Sequence, residues 1–336
     1  MHPPGLAPRR SLRRAMFDPD LSPVVESGLP PRVLTFLLAL LAAGTRVRYL
    51  EQTRRFRDWC QAHAPTWGSM ATEQQDACLS EYVLDSRDEN LGVQSCRDTI
   101  AALQLFWPSR KFRLATRVVN GWQLQVPPNR APPIDREGAM ALVTIMVASG
   151  NSWAGCVAML CFTALLRISE ALALRSCDFI VTLEGLAVLQ LRRTKTGDYQ
   201  RVVIQDRAVV AWVVAYRESI GVEPSSTRPL CSGSYDKFRR VLTACSGALG
   251  LGAVSWRSHS FRRGGATVLF VAGLPVQDIA VYGRWATISS CRLYLASGEQ
   301  EFNMLVRTRS TASRQRIRSV AALASRVFEV KVNQFD

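Results

Sequence analysis

The sequence predicts a mainly α-helical protein with one small antiparallel sheet, an α+β fold in two domains. Three observations carry this. Apolar residues recur at helical spacing along most of the chain. β-type runs are confined to the region between Phe179 and Ile204. Four prolines, Pro127, Pro128, Pro132 and Pro133, divide a shorter helical half from a longer mixed one. With 336 residues, 48% of them hydrophobic, the chain has material for two buried cores.

Taken in order, residues 1–30 hold Pro3, Pro4, Pro8, Pro19 and Pro23 and show no sustained period, so they read as a flexible leader. The leader's Arg9, Arg10, Arg13 and Arg14 precede no apolar stretch of the kind a secretory signal needs. From Pro31, one apolar stripe runs through Leu34, Leu37, Leu38 and Leu41. It continues after Gly44-Thr45 through Val47, Leu50, Phe56 and Trp59. Helices are also expected over Thr72–Leu84 and Gln94–Phe106, making residues 31–124 a helical domain, with 125–133 as linker. The end of that domain gathers Arg110, Lys111, Arg113 and Arg117 without an acid among them. Such a cluster is either a solvated face or an edge that touches phosphates.

The second domain, 134–300, opens with 27 uncharged residues from Met140 to Leu166, nominally enough to cross a bilayer. Ser149-Gly150-Asn151-Ser152 interrupts the run with helix-ending and helix-starting residues, so two buried helices are expected instead. Short strands follow at Phe179–Leu183, Leu186–Leu191 and Arg201–Ile204, with a turn at Thr194–Asp198. Helical spacing resumes over Arg207–Ser219, Tyr235–Leu249, His259–Ala272, Pro275–Tyr282 and Thr287–Ala296. Residues 301–336 form a basic tail with an apolar patch at Val320–Leu323.

The charge narrows the function. Lys and Arg number 42 against 27 acids, net +15, and only four of the 42 are Lys. Arginine's planar fork pairs with phosphate through two hydrogen bonds, so a polyanionic partner is favoured over a generally Arg-rich background. Nine cysteines, an odd number without a C-x-x-C pair, read as reduced core residues of a nuclear or cytoplasmic protein. The three histidines, His2, His63 and His259, lie apart from one another and from any cysteine pair, so no metal site is expected.

Four places are odd for a packed core. Arg167 and Glu170 stand at i, i+3 within Leu-Leu-Arg-Ile-Ser-Glu, either as a buried ion pair that fixes packing or as functional groups. Arg192-Arg193-Thr194-Lys195-Thr196-Gly197 sets a basic tip on the hairpin. His259-Ser-Phe-Arg262 opens a helix with both side chains on one face, at an end where free amides favour an anion. Gly283-Arg284-Trp285 is followed nine residues later by Tyr294.

In this order and spacing the residues resemble the tyrosine recombinase (integrase) family, with a Cre-type catalytic domain. The resemblance covers about residues 134–297, while residues 31–124 are similar to the family's DNA core-binding domain in size, helicity and charge only. It implies an enzyme that cuts and rejoins duplex DNA with no cofactor. Arg167 and Arg262 would grip the phosphate, with His259 and Trp285 as further hydrogen-bond partners and Glu170 orienting the pocket. Tyr294 would be the nucleophile forming a 3′-phosphotyrosyl link, and Lys195 the acid for the leaving 5′ oxygen. Arg193 would join Arg110, Lys111, Arg113 and Arg117 in holding DNA. Trp285 stands where the family often has His. The resemblance further implies a homo-tetramer on two DNA sites and no membrane association, with residues 301–336 either a loose tail or a helix docking on a neighbouring protomer. A DNA-binding relative that no longer cuts, or a type IB topoisomerase-like nick-and-reseal enzyme, are the alternatives.

Overall fold

The computed structural model describes residues 28–125, 131–194, 197–251, 256–292, 295 and 311–329. The chain divides into two compact units, Met1–Asn129 and Arg130–Asp336.

The first unit is helical: α1 (Pro31–Leu40), α2 (Ala43–His63), α3 (Thr72–Asp88), α4 (Val93–Phe106) and α5 (Arg113–Gln125). Phe56, Leu79, Val83, Leu103, Phe112 and Val119 fill its main core, and Leu34 and Leu38 of α1 pack on Phe106. Val47, expected on the apolar stripe, is exposed, because α2 turns Gln52, Thr53, Phe56 and Cys60 inward instead. Asp76 of α3 accepts hydrogen bonds from the amides of Leu114 (2.8 Å) and Ala115 (2.9 Å). This carboxylate supplies the acceptors that the first turn of α5 lacks, and so fixes where the cationic stretch sits.

The second unit begins with α6 (Arg136–Ala148) and α7 (Ser152–Thr163), separated where the uncharged run has its polar break. Gly150 lies there at φ 74°, and every residue from Trp153 to Phe162 is buried. Among the described residues no helix is long and apolar enough to cross a membrane. Next come α8 (Ile168–Ala173) and the sheet β1 (Phe179–Val181), β2 (Ala187–Thr194), β3 (Gly197–Ile204), antiparallel in the order β1-β2-β3. Phe179 pairs with Leu189 and Leu189 with Val202, placing all three on the core face. The hairpin is longer than its apolar residues indicate. Its ladder continues to Thr194 opposite Gly197, since backbone pairing does not require apolar side chains. Helices α9 (Arg207–Ser219), α10 (Tyr235–Ala248), α11 (Ser258–Val271) and α12 (Val276–Tyr282) follow, and residues 288–292 are helical.

Residues 311–329 form α13 (Thr311–Glu329), which packs against α6 of its own chain. Ile317 is fully buried there, with Val320 and Ala321 against the same core and Arg318 3.8 Å from Glu137. The spacing of Ile317, Val320, Ala321 and Ala324 is that of one helical stripe, and in this chain the stripe packs against the core beside α6.

Two glycines let α11 approach the unit's centre. A Cβ on Gly264 would lie 1.9 Å from the Ile134 carbonyl oxygen, and one on Gly265 1.9 Å from that of Phe162. Neither obstacle is a flexible side chain. Gly265→Ala is therefore expected to lower stability by about 3 kcal/mol, the upper end of ordinary overpacking. Chemical denaturation would report it, and an unchanged midpoint would show that α11 shifts without cost.

Candidate active site

The site is built where α7 stops. The apolar run was expected to continue as helix through Leu166, but the helix ends at Thr163 and Leu165 adopts φ 49°. A branched residue in the left-handed region is costly without local compensation. Here the turn presents the Leu165 carbonyl to the Arg262 and Arg284 guanidiniums, and a new helix starts after it. Arg167 is the N-cap of α8, and the Glu170 carboxylate reaches back to accept from its amide at 2.8 Å. The i, i+3 spacing of these two residues thus belongs to a helix start and not to a helix interior.

Glu170 is the centre of the arrangement. Its Oε1 lies 2.7 Å from Arg167 Nη1, and its Oε2 lies 2.8 Å from Arg284 Nη2 and 4.0 Å from Arg262 Nη1. Burial alone would raise its pKa. The Arg167 amide, the Arg284 charge and the Arg167 guanidinium outweigh that and hold the carboxyl below its ordinary range. Three guanidiniums face one carboxylate, which leaves a surplus of two positive charges. Arg262 and Arg284 are almost fully buried, while the Arg167 side chain is 22% exposed.

Arg262 comes from α11. Its two Nη atoms donate to the Leu165 and Gly283 carbonyls, and the guanidinium lies 4.6 Å from the centre of the Trp285 ring, a cation–π distance. Trp285 folds back over Gly283, where a Cβ would lie 1.8 Å from its ring, so Gly283 is required for space rather than for its dihedral. His259 is the second residue of α11 and is exposed at the surface. The surrounding protein, then the charges of Arg262, Arg263 and Arg167, push its pKa down to about 4, so its imidazole is neutral at pH 7. The neighbouring Arg263 is fully buried and donates to the Ala131 carbonyl, tying α11 to the chain just before α6.

Of the expected site residues, Arg167, Glu170, His259, Arg262 and Trp285 are brought together. Lys195 and Tyr294 lie outside the described residues. Arg193 is in β2, paired with Asp198, and its side chain also lies outside them. Arg192, grouped with the basic tip by sequence, is instead anchored to the buried Asp178, with Nε 2.9 Å from Oδ1. Sequence reasoning missed Arg284. The residue is the middle of Gly283-Arg284-Trp285, and nothing local shows that its side chain turns inward to Glu170.

In the first unit, Lys111, Arg113 and Arg117 are exposed. Arg110 is not free in the same way, because its guanidinium lies 5.6 Å from the Trp67 ring centre and 5.5 Å from that of Trp107. Arg110 therefore differs from the other three cations of the cluster in packing on aromatic rings.

Residues 134–301 match the phage integrase family. Among curated proteins none matches the chain significantly. Solved structures do. The XerH site-specific recombinase bound to palindromic difH substrate, in a post-cleavage complex, superposes with TM-score 0.55 at 13% identity, covering 89% of this chain and 94% of that one. The Tn1549 transposon integrase in complex with circular intermediate DNA gives 0.53 at 14%, covering 80% of this chain and 98% of that one. At such identities the likeness is one of fold, of a mainly helical domain with a small antiparallel sheet. The family match spans half the chain and contains the whole Arg167–Glu170–His259–Arg262–Trp285 constellation, and this chain belongs to the phage integrase family.

Proposed function

We infer that the chain is a site-specific DNA recombinase or integrase that cuts and rejoins duplex DNA through a 3′-phosphotyrosyl intermediate. The observation that carries this reading is the surplus of two positive charges around Glu170, beside a neutral imidazole. A concentration of buried cations is stable only with an anion at hand, and a phosphodiester supplies one. Family membership adds the reaction class.

Arg167, the most open of the three guanidiniums, receives a non-bridging oxygen, and Arg262 supplies charge from beneath. The Tyr294 hydroxyl oxygen attacks phosphorus and the bond to the 5′ oxygen breaks. The phenolic proton passes to neutral His259, and Lys195 protonates the leaving oxygen, giving a phosphotyrosyl diester and a free 5′-hydroxyl. Attack by a 5′-hydroxyl of another strand reverses the step and joins the two. Exchange between two duplexes requires several copies, so the working form is a tetramer on two DNA sites, in the nucleus or cytoplasm. The test is incubation with a nicked duplex built from the DNA flanking its own gene. A covalent protein–DNA adduct followed by joined products from paired sites is expected. Binding without adduct would favour a silent relative, and supercoil relaxation without joined products a nick-and-reseal enzyme.

Phosphate contacts in the first unit have their own signature. Each contributes about −0.9 to the slope of log K against log salt. Replacing Lys111, Arg113 and Arg117 with Gln is expected to flatten the slope by about 2 to 3 units. Arg110 is left in place because it packs on Trp67 and Trp107. Fluorescence anisotropy between low and physiological salt measures this, and an unchanged slope would mean a solvated face.

A further inference from the structure

We propose that Arg284 is a positioning residue of the strand-cutting site, occupying the Glu170 carboxylate so that Arg167 and Arg262 keep their charge for the phosphate. The proposal rests on the strand-transfer reading above and adds a residue that the reading does not use.

The geometry of Arg284 is costly in three ways. Its backbone lies at φ 57°, a left-handed conformation that favours glycine. Its side chain is only 7% exposed, which strips water from a permanent charge. Its Nε and Nη1 are buried and have no hydrogen-bond partner among the described residues. Against these costs stand two contacts, both from Nη2: Glu170 Oε2 at 2.8 Å and the Leu165 carbonyl at 3.2 Å. The guanidinium is held by a single charge, and that charge belongs to the residue that also binds Arg167.

Removing Arg284 shows what it does. Glu170 Oε2 would keep only the Arg167 amide, with Arg262 Nη1 4.0 Å away. An unscreened buried carboxylate would draw Arg262 off the Leu165 and Gly283 carbonyls and hold Arg167 more tightly. The surplus would fall from two positive charges to one. A phosphodiester carries one negative charge, but its five-coordinate transition state carries two on the non-bridging oxygens. The lost charge therefore matters most at the transition state and least in ground-state binding.

The experiment compares Arg284→Lys with Arg284→Met, which have stems of similar length with and without charge. Adduct formation on the nicked flanking duplex is followed in single turnover, alongside duplex affinity and thermal midpoint. Arg284→Lys is expected to keep the rate within about fivefold, and Arg284→Met to lose about 10- to 100-fold with affinity almost unchanged. Adding Glu170→Gln to Arg284→Met is expected to restore part of the loss, because the charge Arg284 offsets is then gone. Equal rates in the Lys and Met variants would overturn the proposal, since they describe a residue that only packs, and so would a further fall on adding Glu170→Gln, since Glu170 would then not be the charge that Arg284 offsets. If Arg284→Met does not fold, Arg284→Gly relieves the left-handed strain and opens a guanidinium-sized space. Recovery of its rate by added guanidinium ion supports the proposal, and no recovery overturns it. Failure of the parent itself to form adduct is a different result and refutes the strand-transfer reading.

Discussion

Tyr294→Phe is expected to bind DNA like the parent and to form no covalent adduct. Only the hydroxyl oxygen is lost, so the atom that would bond to phosphorus is gone while an aromatic ring of the same size remains. The rate of adduct formation should fall by about 10⁴-fold or more, the scale on which loss of a covalent nucleophile acts. A denaturing gel separates the linked species from the bound one. The substitution also separates two classes of explanation: a silent DNA-binding relative would show no difference between parent and variant, both lacking adduct. Equal adduct in both would move the nucleophile to another side chain.

Arg167→Lys is expected to lose cleavage by about 10²- to 10³-fold, the range found when one transition-state donor is removed. Arg167 serves Glu170 through Nη1 at 2.7 Å, yet at 22% its side chain is the most exposed of the three guanidiniums. A planar fork can hold the carboxylate with one edge and present the other to phosphate. An ammonium is a point charge and must choose between them. The amide of residue 167 still donates to Glu170 in the variant, so the start of α8 and the protein's stability should survive. Retention of most of the cleavage rate would show that the Arg167–Glu170 pair only fixes packing.

Much of this protein could be read from its residues in order. Helical stripes, the polar break at Ser149-Gly150-Asn151-Ser152 and the confinement of strands to residues 179–204 are local properties, set by side-chain spacing and backbone preference within a few residues. The pairs Arg167–Glu170 and His259–Arg262 were legible for the same reason, since each is carried by a short motif at a fixed offset, while their meeting with one another and with Trp285 is tertiary. The boundaries that spacing misjudged are those where a distant partner decides. The helix over the uncharged run stops at Thr163 because the Leu165 carbonyl is needed by guanidiniums from 97 and 119 residues along the chain. The hairpin runs past its apolar residues because pairing satisfies backbone groups regardless of side chain. Residues 311–329 dock on α6 because Ile317 has an apolar face to meet there, which no local pattern names. Arg110 and Arg284 make the point most sharply. In sequence both are ordinary cations in basic or turn-forming stretches. Only the folded chain sets one between Trp67 and Trp107 and turns the other inward to Glu170, because a charge is defined by what surrounds it, and those surroundings come from residues remote in sequence.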